Sequence, residues 1–172
     1  MKKLFLITIL LLIKISLVNA NSNISFIDID KLLSTSKPGV SILKKLNEIN
    51  DKNLKDFKKN EKILMEKEQK LISQKNIISS EEFKSKLDKL RLEFNEYNEN
   101  KKKKVNDLKN LRINSTNKFL ELLNPILVEY SKKKSISLIL QKKSLIIGKS
   151  ELDITDEVLK EVNINMDVFK IK

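Results

Sequence analysis

From Val40 to about Gln74 the chain carries neither glycine nor proline, and Leu43, Leu46, Phe57, Leu64 and Leu71 mark a thin apolar stripe among lysines, glutamates and asparagines. This pattern predicts one long helix with a narrow buried face, entered at Lys37-Pro38-Gly39, where proline suits a helix's first turn. Residues Asn76 to Glu82 supply a break, and Ser79 with Glu82 fits a capping box, whose reciprocal bonds satisfy amides left free at a helix start. A second helix is expected to follow, with Phe83, Leu87, Leu90, Phe94 and Tyr97 alternately four and three apart, as a seam facing one partner requires. Lys101 to Lys104 interrupts that seam, which resumes as Val105, Leu108, Arg112, Ser115, Phe119, Leu122 and Ile126. Pro125 is expected to kink this helix, because it lacks an amide donor and crowds the preceding turn. The helix should end around Lys132 to Lys134. At ~1.5 Å per residue the two helices would run roughly 55 and 80 Å, far beyond the width of a compact domain of this size. An antiparallel hairpin arm is implied, its tip near residues 75 to 82.

The two ends of the chain follow a different pattern. Ile24 to Asp30 is short and rich in β-branched and aromatic residues, which predicts a strand followed by a helical turn. Ile136 to Leu140 and Leu145 to Ile147 are apolar runs separated by Gln141 to Ser144, which predicts a small β-hairpin. Thr155, followed by Asp156 and Glu157, is expected to cap a last helix over Val158 to Val162. The fold class expected is mainly α with a small β body, a long antiparallel helical hairpin flanked by short strands. Residues 38–134 form the arm in this reading, and residues 21–37 with 135–172 form the β-rich body. Three short strands leave sheet edges that need covering, which pairing with other subunits would supply.

Residues 1–20 have the layout of an export signal. Met1-Lys2-Lys3 is a basic start, Leu4 to Ile13 an apolar run, and Val18-Asn19-Ala20 a small-residue cleavage site, so cleavage is expected between Ala20 and Asn21. A membrane anchor needs about 20 apolar residues, and Lys14 cuts this stretch short. Loss of Lys2, Lys3 and Lys14 would lower the formal charge from +12 and leave the chain strongly basic. Cysteine and histidine are both absent, which removes disulfide staples, the commonest metal ligand and the commonest general base. Asp28 and Asp30 share a strand face but suit capping or solvation better than acid/base work. Glu93, Glu96 and Glu99 sit beside lysines with no histidine to complete a metal site. With only two glycines there is no phosphate-cradling loop, so no enzyme, metal or cofactor is expected.

Lys101, Lys102, Lys103 and Lys104 are the sharpest local charge, spread around the helix as a collar that could meet an acidic or anionic partner, including lipopolysaccharide or phospholipid headgroups. Nucleic acid is a poor fit, since only two arginines occur and aromatics do not interleave with the basic residues.

At its two ends the chain resembles the Skp/OmpH family of periplasmic chaperones. Ile24 to Leu33, ISFIDIDKLL, followed by Pro38-Gly39-Val40-Ser41, is similar to the family's opening strand and helix entry. Ser137 to Leu140 and Leu152 to Lys160 resemble its closing strands and final helix, and Leu123-Asn124-Pro125-Ile126 its proline kink. The resemblance implies a homotrimer with a central β body and three hanging hairpins. Unfolded outer-membrane proteins would be held among those hairpins without ATP, in the periplasm. By motif position it places Ile24, Phe26, Ile136, Leu138, Leu140 and Ile146 in the trimer body, and it assigns no residue here to a lipopolysaccharide patch. The rival reading is a passive coiled-coil structural protein of the envelope. Sparse seams further predict fast amide exchange from about residue 60 to 95.

Overall fold

A computed structural model describes residues 23–169, so the expected signal segment and its cleavage site lie outside the described residues. Strand β1 (Asn23–Ile27) leads into the short helix α1 (Ile29–Thr35) and the long helix α2 (Lys37–Ser73). Helix α3 (Ser80–Lys134) returns to strand β2 (Ile136–Gln141), and helix α4 (Thr155–Asn165) is the last element among the described residues. At ~1.5 Å per residue, α2 and α3 are roughly 55 and 80 Å long, as the apolar spacing implied.

Local chemistry sets each boundary. Asp28 caps α1, its carboxylate accepting from the Lys31 amide at 2.9 Å. Ser36 caps α2 through the Gly39 amide at 3.2 Å, and Asn163 of α4 accepts from the Lys37 amide at 2.8 Å. Ser79 accepts from the Glu82 amide at 3.2 Å, but the reciprocal half of the expected capping box is replaced by an ion pair from Glu82 to Lys86 at 2.8 Å. Helix α3 runs on through Pro125. It stops at Ser135, whose φ of 53° makes it the one non-glycine residue in the left-handed region among the described residues.

β1 and β2 pair in parallel, from Asn23 opposite Ile136 to Ile27 opposite Gln141, with a bulge after Asn23. Parallel neighbours need a long crossover, and here the entire helical hairpin is that crossover. The second edge of β1 is taken by the 150–154 segment, where the Ile154 amide donates to the Phe26 carbonyl at 3.0 Å. The β-hairpin expected from Ile136 to Ile147 is therefore not formed. After β2 the chain makes a single helical turn at Lys142–Ser144 that turns it away from the sheet and leaves Ile146 and Ile147 in solvent.

The main core lies where the arm meets the body. Ile27, Leu32, Ile42, Leu46, Phe119, Leu123, Val158 and Val162 are buried there, so β1 and every helix contribute. A second, smaller cluster near the arm's tip holds Leu64, Leu71 and Leu90. Among the described residues no helix is long and apolar enough to cross a membrane.

A Cβ added at Gly39 would lie 2.1 Å from the Leu33 carbonyl oxygen, so α1 and α2 approach there only because no side chain intervenes. Gly39→Ala is expected to cost about 2 kcal/mol and to lower the thermal midpoint. Ser135→Gly removes the left-handed strain and should raise stability by about 0.5 kcal/mol in the same melting experiment.

Candidate functional site

The arm seam continues through the lysine tetrad rather than stopping at it. Tyr97, Lys101, Lys104, Leu108 and Leu111 follow one another at steps of four and three, the spacing that keeps one helix face on its partner. Lys101 and Lys104 are half-buried, whereas Lys102 and Lys103 are exposed. Val105 and Arg112, expected on the seam, are exposed, because the tetrad keeps its heptad phase and turns them outward.

At seam positions a lysine can offer its aliphatic stem only if its ammonium finds a partner. Lys101 Nζ lies 2.7 Å from Glu61 and 5.5 Å from the centre of the Phe57 ring. Lys104 Nζ lies 3.2 Å from Asp56 and 5.9 Å from the same ring. Phe57 is buried and meets Tyr97 edge-on at 6.5 Å, while the Tyr97 hydroxyl donates to Glu61 at 2.6 Å. The lysine spacing was visible in the sequence; the α2 residues facing it could be found only once the register of the two helices was known. The hydrogen bond from Lys101, followed by that from Tyr97, holds the Glu61 carboxyl below its usual range. Lys101 is raised chiefly by the same bond to Glu61, and Tyr97 by burial and then by its bond to Glu61.

Two further features mark the body. The first is a latch built on Thr155, the residue expected to cap the last helix. Thr155 opens α4 but does not cap it, since Ile154 precedes it without a side-chain bond. Instead the Thr155 hydroxyl accepts from the Asp28 amide at 2.9 Å and donates to Asp153, which pairs with Lys142 at 2.7 Å. Burial works against the Asp153 charge, but the bonds from Lys142 and Thr155 prevail and hold its carboxyl below the usual range. Start, middle and end of the body are thereby joined through the side chains of Thr155 and Asp153.

The second feature is an uncovered apolar edge. Among the described residues β2 has no partner on its outer side. A groove of about 400 Å³ lies beside it, lined by Ile27, Leu123, Leu127, Ile136, Leu138 and Leu140. Of the expected body residues, Phe26 is buried, Ile136 and Leu140 half-buried, Ile24 and Leu138 exposed, and Ile146 fully exposed beside Ile147.

On the arm, Leu54, Met65 and Ile72 are exposed and lie eleven and seven residues apart, so they share one outward face of α2. That stripe went unrecognised because the inner seam uses similar residues at similar spacing. Pro125 lines a groove of about 610 Å³ between α3 and the chain's end, with Tyr130, Met166 and Phe169. Of the carboxylates considered for chemistry, Asp28 caps α1 and Glu93 pairs with Lys67 at 2.6 Å, while Asp30, Glu96 and Glu99 are exposed.

The chain matches the profile of the family described as outer membrane protein (OmpH-like) over residues 23–162. Its fold is similar to the crystal structure of a candidate outer membrane chaperone (OmpH-like) from Caulobacter crescentus, with a TM-score of 0.78 at 13% identity, covering 88% of this chain and 89% of that one. No curated protein matches the chain.

Two outcomes follow from the mid-arm layer. Phe57→Ala empties its centre and should destabilise the arm by about 3 kcal/mol, read as lost amide protection around residues 57 and 97 with the body unaffected. Because Glu61 titrates lower in the folded arm than in the unfolded chain, its contribution is complete above the ordinary glutamate value and disappears as pH falls through the lowered one. Arm protection should therefore hold from neutral pH to about pH 5 and decline below about pH 4, and Glu61→Gln should flatten that decline.

Proposed function

Because the chain belongs to the OmpH-like outer membrane protein family, we propose that it is an ATP-independent holdase of the periplasm that binds unfolded outer-membrane proteins and keeps them from aggregating. The observation that carries this reading is the pairing of two uncovered apolar surfaces with opposite roles. One is the open β2 edge with the protruding Ile146 and Ile147, at the compact end of the molecule. The other is the outward stripe of Leu54, Met65 and Ile72 on an arm that projects away from it.

The compact end is the assembly surface in this proposal. An unpaired strand edge beside an apolar groove is a liability in an isolated chain and is relieved when other copies cover it. Three copies joined through Ile24, Ile136, Leu138, Leu140 and Ile146, with Phe26 supporting them from within, would let three arms surround a common space. Residues 21–37 and 135–172 are then the trimerisation body and residues 38–134 the arm.

Inside such a space an unfolded barrel protein needs many weak contacts without a preferred sequence. Outer-membrane strands alternate apolar and polar residues and pair edge to edge when no bilayer receives them. Scattered apolar side chains set among lysines answer both needs, since lysine offers an apolar stem as well as a charge. Exposed Lys102 and Lys103 are the members of the tetrad free to meet acidic clients or anionic lipid, including lipopolysaccharide. Lys101 and Lys104 are engaged with α2 and would contribute less.

Light scattering on chain beginning at Asn21, alone and with a urea-denatured outer-membrane β-barrel diluted into buffer without ATP, tests the proposal. A trimer that keeps the barrel protein soluble is expected. A monomer or dimer that leaves it to aggregate would favour the passive coiled-coil spacer. Ile146→Asp with Ile147→Asp should yield a monomer of unchanged helix content, because neither side chain packs within its own subunit; an unchanged trimer mass would remove this edge from the assembly surface.

A further inference from the structure

The arm contains two apolar clusters and they do not merge. The inner one reaches outward as far as Leu108 and Leu111, and the outer one consists of Leu64, Leu71 and Leu90 with Phe83, Leu87, Phe94 and Tyr97 packed against them. Between them lies the layer of Phe57, Tyr97, Lys101 and Lys104, closed by Glu61 and Asp56. Among the described residues all three ion pairs that cross between α2 and α3 lie in this layer or beyond it: Lys104 with Asp56, Lys101 with Glu61, and Lys67 with Glu93. Closer to the body, where Ile42, Leu46 and Phe119 are buried, no ion pair crosses among the described residues.

We infer that the Phe57–Tyr97–Lys101–Lys104 layer is an electrostatic clasp, which lets the outer arm open and close as a unit separate from the body under the control of ionic strength. Three buried leucines between two helices are a small core, and helix pairs of this kind depend on their contacts for order. Half-exposed ion pairs weaken as salt shortens the range of their attraction, whereas burial of leucine does not. The inner arm and body, held by apolar packing, should be insensitive over the same range. Opening the clasp turns Leu64, Leu71 and Leu90 toward solvent, so salt also sets how much apolar surface the arm presents.

Amide exchange on the whole assembled protein tests this at about 20 and about 500 mM NaCl, between which the screening length falls from roughly 20 Å to about 4 Å. The expected result is exchange about threefold faster in residues 60–97 at high salt, with residues 42–50 and 115–130 unchanged. Lys101→Met with Lys104→Met keeps the stems and removes the charges. It should slow exchange of the outer arm and abolish its salt response. Glu61→Gln with Asp56→Asn should speed exchange and abolish the response too, so that a failure of the methionine variant to assemble leaves the clasp testable. Lys67→Met is the control and should keep the response. An outer arm indifferent to salt, an equal response in body and arm, or a response that vanishes only with Lys67→Met would overturn the clasp.

Discussion

Two helices with no third neighbour can each bury only one stripe, and in this protein that constraint shapes everything beyond the body. Each seam is one side chain wide, as the single buried residues Leu64, Leu71 and Leu90 show. The other faces of α2 and α3 stay in water, which explains why lysine, glutamate and asparagine fill them and why residues such as Met65 and Ile72 remain uncovered. Length then comes at little cost in sequence specificity. An arm of this kind can be long without a large core, but its order depends on every layer of a thin seam.

Lysine at a seam position follows from the same geometry. A fully enclosed core would exclude Lys101 and Lys104, since an ammonium deep in protein must be paired or lose its charge. A two-helix seam is open at both sides, so the stems can lie over Phe57 and Tyr97 while the ammonium groups reach Glu61 and Asp56 at the rim. The layer holds the helices together and leaves them responsive to their ionic surroundings.

The body meets a different demand: it must join segments from opposite ends of the chain. β1 does so by giving one edge to β2 and the other to the residues before α4. Asp153 and Thr155 lock the arrangement by tying Asp28 and Lys142 to the start of α4. With both edges of β1 occupied, β2 is the strand left open among the described residues, and an apolar groove lies beside it.

Much of this architecture was legible in the amino-acid sequence. The absence of glycine and proline from Val40 to Ser73, the stop at Asn76 to Glu82 and the spacing of Phe83, Leu87, Leu90, Phe94 and Tyr97 determine two long helices folded back on each other. Those signals are local, written within a few turns of one helix. The family resemblance rested on the terminal segments, where strand, entry turn and final helix carry side chains constrained by packing. What lay between distant segments was decided only in three dimensions. Apolar character alone could not tell a strand at Leu145 to Ile147 from an exposed loop, because that depended on where the turn at Lys142–Ser144 sends the chain after β2. Thr155 could be read as a cap, but its partner was Asp28, far back in the chain. The tetrad's role likewise awaited the register that sets Lys101 against Glu61 and Lys104 against Asp56. Periodicity records which face of a helix is apolar, whereas the identity of the residue opposite is a property of the pair, and only the folded chain brings the pair together.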